Sequence, residues 1–258
     1  MGEIQRPGAL YKQVAAAIRD AIASGEFPPG APLPSEAQLI ARYRVSRPTV
    51  RNAIAALRTE GLIEVIHGKG SFVRGAQAPV LTVARTISRD NAGNFTTGQD
   101  AWKPAEEPTV YRTKTTVTTG ALLALGEGEA LFGVDRLLTD PTTGTRALHR
   151  TLIPFATAEG TALAEHPDTE PAQIYALLAE AGHDLSWAET TRARMPLPDE
   201  RATLQLADVV PVIHTTRTTL GRDGRPLILE ELTASGDRAQ LTYRITANNS
   251  SNRAQPTA

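Results

Sequence analysis

The strongest constraint on this chain is the order of start and stop signals between residues 10 and 73. Leu10, Val14, Ala17, Ile18, Ala21 and Ile22 recur at three- and four-residue spacing, which makes one apolar face of a helix over residues 10–24. Gly25 follows where such a helix stops. Phe27-Pro28-Pro29-Gly30 and Pro32-Leu33-Pro34 cannot continue it, because each proline fixes φ and removes a backbone donor, so an extended turn is predicted. Ser35, with Gln38 three residues on, has the pattern of a capping box. It opens a second helix that runs to about Tyr43 and buries Leu39 and Ile40. A short turn, Arg44-Val45-Ser46, leads to a third helix. Ser46 is its cap, Pro48 sits in its first turn, Val50, Ile54 and Leu57 form its buried stripe, and Gly61 ends it. Residues 62–66 and 71–73 read as two short strands joined by His67-Gly68-Lys69-Gly70, a hairpin with glycines where the turn needs them.

Three helices followed by a glycine-tipped hairpin is the order of a winged helix-turn-helix. In that arrangement the third helix enters the major groove with its N-terminal residues facing the bases. Here that start carries Ser46, Arg47, Thr49 and Arg51. Arginine grips guanine through two parallel hydrogen bonds, and hydroxyls and helix N-terminal amides suit phosphates, which brings in Ser35 as well. The wing offers His67, Gly68 and Lys69. An isolated basic helix is more simply a solvated surface; here the spacing, the caps and the hairpin coincide. Charge agrees: residues 1–74 hold 10 Lys+Arg against 6 Asp+Glu, and the remainder holds 17 against 22. A positive module on an acidic body suits a partner with phosphates.

The 258 residues leave room for about two domains. There is no cysteine, which excludes disulfides and thiolate metal sites. No run reaches the roughly 18 apolar residues of a membrane helix, and the first residues lack a basic-then-apolar leader, so a soluble cytoplasmic protein is expected. The fold class expected is α+β. Residues 75–108 read as linker and loop around an apolar stretch at 80–87. Beyond them, residues 110–119 read as a strand and 122–125 as a short helix. Residues 131–139 with 147–154, and 211–220 with 225–233, read as two hairpins, and 187–195 and 241–245 as strands. Residues 174–181 and 199–206 read as helices. The domains expected are 8–74, a linker at 75–82, a second domain at 83–246, and a disordered tail at 247–258.

Several stretches carry a specific resemblance. Leu10-Tyr11-Lys12-Gln13-Val14, Leu33-Pro34-Ser35-Glu36, Val45-Ser46-Arg47-Pro48-Thr49-Val50-Arg51, Leu57-Arg58-Thr59-Glu60-Gly61-Leu62-Ile63 and Gly68-Lys69-Gly70-Ser71-Phe72-Val73 closely resemble the GntR superfamily of bacterial regulators. The resemblance implies that Arg47, Thr49 and Arg51 contact DNA and that His67, Gly68 and Lys69 belong to the DNA-facing wing. One departure is Ala37, where family members often carry arginine. The second domain, in residues 131–154, the helix around Ile174-Tyr175, and the stretch from Gly224-Arg225-Pro226 through Gly236-Asp237-Arg238, resembles the UTRA effector domain of the HutC branch. That implies a chorismate-lyase-like fold with an antiparallel sheet and a pocket between sheet and helices. Arg136 matches a strand arginine that often holds an acidic ligand group, His149 stands where glutamate is common, and Glu231 matches a common pocket acid; Arg192 and Arg194 lie on another candidate strand.

Plainer readings stay open. Arg136 could pair with Glu127 or Glu129 at the surface, His149 could be structural, and Asp237-Arg238 could be only a turn. Three functions remain. The first is a repressor released from its operator by a small effector, acting as a homodimer without cofactor or membrane. The second is an enzyme, against which no nucleophile–base pair, phosphate loop or metal site stands out. The third is a DNA-binding protein whose second domain only dimerises.

Overall fold

The computed structural model describes residues 9–66, 70–74, 80–98, 102–206 and 210–244. The wing tip His67, Gly68 and Lys69, part of the expected linker, and the expected tail at 247–258 lie outside these residues. Helix α1 is Leu10–Ala23, α2 is Glu36–Tyr43 and α3 is Arg47–Thr59, followed by strands β1 (Ile63–Ile66) and β2 (Gly70–Val73). The capping box is present: Ser35 Oγ accepts from Gln38 N, and Gln38 Oε1 accepts from Ser35 N at 2.9 Å. Ser46 Oγ accepts from Thr49 N at the start of α3. Between the two helices Arg44 takes a left-handed conformation, φ 51°, which makes the sharp turn possible without glycine. Val14, Ile18, Leu39, Val50, Leu57 and Ile63 form one core. Each contributes about 1.5–3 kcal/mol by leaving water. The proline-rich segment does more than turn: Leu33 N donates to Ser71 O and Val73 N to Ala31 O, so it lies along β2 as a third strand-like edge of the wing.

After residue 80 the chain forms β3 (Leu81–Ala84), β4 (Ser88–Arg89), β5 (Phe95–Thr96), β6 (Lys103–Pro104) and β7 (Thr109–Lys114), then α4 (Val117–Leu123). Strands β8 (Ala130–Thr139) and β9 (Arg146–Pro154) make a hairpin. Helices α5 (Phe155–Ala158) and α6 (Pro171–Glu180), strand β10 (Ser186–Arg194) and helix α7 (Pro198–Thr203) follow. Strands β11 (Val212–Leu220), β12 (Pro226–Ser235) and β13 (Ala239–Thr242) complete the described chain. The main sheet is antiparallel, in the order β10-β11-β12-β9-β8, with β6 and β7 both pairing to β8. Separately, β3 pairs in parallel with β13. The strand that follows the DNA-binding module is therefore tied to the last strand described.

The two faces of the sheet are covered differently. On the inner face, Phe132, Ile153 and Ile228 pack against Ile174, Tyr175 and Leu178 of α6, while Leu138, Ala147, Leu232 and Ala234 pack against Val83, Trp102 and Ala239. On the outer face, Leu131, Leu152 and Leu229 pack against Leu123 of α4.

Several expectations are corrected. The strand expected over 110–119 ends at Lys114. Thr116 and Thr119 cap each other reciprocally and start α4, so side-chain capping overrides the strand propensity of the threonines. The stretch expected as loop before 108 contains β3 to β6. The last strand begins at Ala239, not Leu241. Surface pairing of Arg136 with Glu127 or Glu129 does not occur: Arg136 is 2% exposed and is bonded elsewhere.

Candidate functional site

The first candidate surface is the start of α3. Arg47 and Arg51 stand one helical turn apart, so they share a face. Their side chains are 72% and 70% exposed. Both reach one carboxylate of α2: Arg47 Nε lies 3.1 Å from Glu36 Oε2, and Arg51 Nε 3.5 Å from Glu36 Oε1. Exposed ion pairs of this kind are worth about 0–1 kcal/mol and yield readily to a competing anion. Glu36 therefore holds the two guanidinium groups side by side without sequestering them. Thr49 is half-buried, with its hydroxyl 2.8 Å from that of Ser46. Ser35 and Ser46 are exposed, but each hydroxyl oxygen is engaged in capping its own helix.

The second candidate is a cavity of about 270 Å³ between the inner face of the sheet and the start of α6. Arg136 of β8 and His149 of β9 are cross-strand partners that border it, both 2% exposed. Arg136 Nη2 donates to the carbonyls of Asp168 and Thr169, at 2.7 and 2.8 Å, and so pins the segment leading into α6. Burial pushes its pKa down, and Glu170, Glu230 and Asp168 oppose that shift. His149 Nε2 faces Glu230 Oε1 at 3.4 Å, and the hydroxyl of Tyr175 donates to the other oxygen of the same carboxylate. Burial raises the pKa of Glu230, but His149, Arg217 and Tyr175 outweigh it and hold the carboxyl below its ordinary value. The phenol of Tyr175 is pushed well up by burial and by Glu230, so it stays a donor. Trp102, Pro104, Leu138 and Pro171 supply an apolar wall, and the buried Thr97 lines the cavity beside them. Two buried polar atoms here have no partner, Arg136 Nε and His149 Nδ1.

Two family descriptions match the chain. Residues 10–73 match the bacterial regulatory proteins of the gntR family, and residues 112–240 match the UTRA domain. An HTH-type transcriptional regulator of Streptomyces coelicolor is 30% identical over 229 residues, which cover 83% of this chain and 84% of that one. The chain belongs to the GntR family. The histidine utilization repressor of Klebsiella aerogenes is 40% identical over 67 residues, 26% of this chain and 28% of its own length. The crystal structure of a GntR-family transcriptional regulator superposes with a TM-score of 0.71 at 23% identity, covering 93% of this chain and 99% of that one. This is a likeness of fold.

Within this GntR regulator, all five residues singled out for the effector site border a second, larger cavity of about 610 Å³: Arg136, His149, Arg192, Arg194 and Glu231. Their side chains do not share one space. Successive residues of a strand point to opposite faces. Arg136 and His149 meet α6 and Glu230 on the inner face, whereas Glu231 turns to the outer face, where His214 Nε2 lies 3.6 Å away and Arg150 Nη1 3.9 Å. Arg136 and Glu231 thus border the same cavity from opposite faces of the sheet, and the carboxylate that meets His149 on the inner face is Glu230, one residue earlier. The outer cavity is rich in charge but largely satisfied within itself. Arg150 binds Asp135, Arg194 binds Glu200 through two bonds, and His214 lowers the pKa of Glu231, with a smaller contribution from the exposed Arg192. The sequence reading missed Trp102, Thr97 and Glu170, which line the inner cavity, and Glu230 and Tyr175, which join His149 in one bonded group. The first two stand in a stretch read as loop. Tyr175 enters the sequence reading as part of the helix that carries the UTRA resemblance, without a role of its own.

Two further contacts tie β3 and the residue after it to the rest of the domain, the first of them next to the inner cavity. Gly98, next to Thr97, has φ +70°, and a Cβ there would lie 2.0 Å from the carbonyl oxygen of Ala84. Arg85, directly after β3, binds Glu189 through Nε and Nη2, and Arg217 bridges the same carboxylate and the carbonyl of Arg85. Among the described residues no helix is long and apolar enough to cross a membrane, and no cluster of His, Asp and Glu is built to hold a metal.

Proposed function

We propose that this GntR regulator is a cytoplasmic homodimeric repressor that binds operator DNA through α3 and the wing and leaves it when a small effector fills the inner cavity. It acts as a binding protein, not an enzyme. The observation that carries the effector reading is the pair of orphaned buried atoms, Arg136 Nε and His149 Nδ1, on residues lining one cavity. A buried polar group without a partner costs about 1–3 kcal/mol, and a ligand that satisfies both recovers it. The outer cavity offers less of this incentive, since Arg150, Arg194, Glu200 and Glu231 already have partners. Repression as the sign of the response rests on likeness to relatives such as the histidine utilization repressor.

Coupling runs through β3. A ligand against Thr97 and Trp102 presses on the segment that contacts Ala84 through Gly98, and β3 leads back to the DNA-binding module. The effector then selects one arrangement of the two DNA-binding modules of a dimer, and the half-site match is lost. One winged helix reads too little sequence to be selective, so two copies on a pseudo-palindrome are required, joined mainly through residues 83–246. The test is fluorescence anisotropy of a duplex selected from a random pool, with and without the small-molecule fraction of a cell extract. Release in wild type and none in Arg136→Ala supports the reading. Sedimentation of a monomer on that duplex refutes the dimer.

A further inference from the structure

We infer that the effector is a small organic monoacid: one carboxylate, a flat apolar body, and one hydroxyl or amino donor. This rests on the inner cavity being the effector site. The anionic end is assigned by two donors. Among the described residues Arg136 is the one guanidinium lining the cavity, and its Nη2 is committed to the carbonyls of Asp168 and Thr169, with Nη1 turned to Thr151 Oγ1 at 3.4 Å. Nε remains, buried and unpartnered. Beside it stands the start of the ten-residue α6, whose first residue, Pro171, has no N–H. The next backbone donor of the helix is the N–H of Ala172, a residue that lines the cavity, at a helix end that favours negative charge.

Those donors suit a singly charged carboxylate. A phosphate dianion brings a second charge, and among the described residues the cavity holds one guanidinium against the carboxylate of Glu170, which borders the same space. The donor on the ligand is assigned by His149. Glu230 is a carboxylate and accepts only, so His149 presents Nε2–H to it, and Nδ1, buried and without a partner, is the ring atom left for a hydroxyl or amino group of the ligand. The body is assigned by Trp102, Pro104, Leu138 and Pro171. A volume of about 270 Å³ is just below the ~300–1,000 Å³ usual for ligand pockets, which limits the body to about one ring.

The test uses the full chain with Trp187→Phe, which leaves Trp102 as the sole tryptophan reporter. Four probes are titrated, with fluorescence and calorimetry as readouts: 3-hydroxybenzoate, mandelate, benzoate and glucose 6-phosphate. The expected result is that at least one hydroxy acid quenches Trp102 and binds about tenfold more tightly than benzoate, as one buried hydrogen bond allows, while glucose 6-phosphate does nothing. His149→Phe erases the difference between hydroxy acid and benzoate. Ala172→Phe fills the cavity without removing a buried polar group and abolishes binding of all the acids, with operator binding as the check that both variants fold. Tighter binding of the phosphate ester than of any acid overturns the monoacid and leaves the effector site standing. No acid binding at millimolar concentration does the same. Acids that bind Ala172→Phe as well as wild type occupy another place, and that result overturns the effector site too.

Discussion

His149 Nε2 lies 3.4 Å from Glu230 Oε1, and both side chains are buried, at 2% and 4% exposure. The contact joins β9 to β12 through the centre of the sheet and leaves Nδ1 as the imidazole nitrogen without a partner. Glu231, one residue on, belongs to the opposite face. Glu230→Gln is therefore expected to weaken the effector response of operator-bound protein at least about tenfold, the scale of one charged buried hydrogen bond. Glu231→Gln should leave it unchanged. Anisotropy titrations of the two variants decide it, and the reverse ranking would place the effector on the outer face.

On the DNA side, Arg47→Ala should cost about 1–3 kcal/mol of specific binding if the arginine is bidentate to guanine, with relaxed preference at that base pair. Glu36→Gln frees both Arg47 and Arg51 and should raise affinity for all sequences, with a steeper salt dependence. Binding measured over a series of salt concentrations separates the two effects. Equal loss on every sequence from Arg47→Ala would make it a phosphate contact only.

Stability should depend on the Arg85–Glu189–Arg217 group. Burial pushes the Glu189 carboxyl up, but the two guanidinium groups and Tyr243 outweigh it, so its pKa in the folded chain is below the ordinary value. A depressed folded pKa contributes stability above the unfolded value of about 4.3, and that stability is lost as pH falls through the folded pKa. Glu189→Gln should lose about 3–5 kcal/mol at neutral pH, because it leaves two buried arginines uncompensated, and should flatten the acid side of the stability curve. Urea unfolding from neutral to acid pH measures both, and an unaltered curve would show that the triad is not a stabilising unit.

Gly98→Ala puts a methyl group against the Ala84 carbonyl at a positive φ. The expected cost is about 1–3 kcal/mol or more of stability. In chains that fold, operator affinity should be kept while the effector response changes, because the contact lies between the cavity and β3. An unchanged effector response in a folded Gly98→Ala chain would remove this route of coupling.

The DNA-binding module was legible because its signals are local. Ser35 with Gln38, Ser46 with Thr49, and Gly61 are cap and stop residues that act within one turn of helix, whatever the rest of the chain does. The hairpins 130–139 with 146–154 and 212–220 with 226–235 were legible for the same reason, from runs flanked by turn residues. The site was only half legible. Two consecutive acids, Glu230 and Glu231, differ only in strand phase, and phase is settled by Ile228 and Leu232 meeting the inner core. Trp102 and Thr97 reach the cavity through long-range packing onto the sheet, which leaves no periodic trace. Thr116 and Thr119 look like strand residues until their hydroxyls are seen capping α4.

The most direct measurement is operator release against effector concentration for wild type and Arg136→Ala, followed by anisotropy of the labelled duplex. Arg136 lines the cavity and is remote in sequence from α3, so the variant should bind the operator as wild type does and fail to release it at any effector concentration tested. Identical release curves would contradict the account and remove Arg136 and the inner cavity from effector recognition.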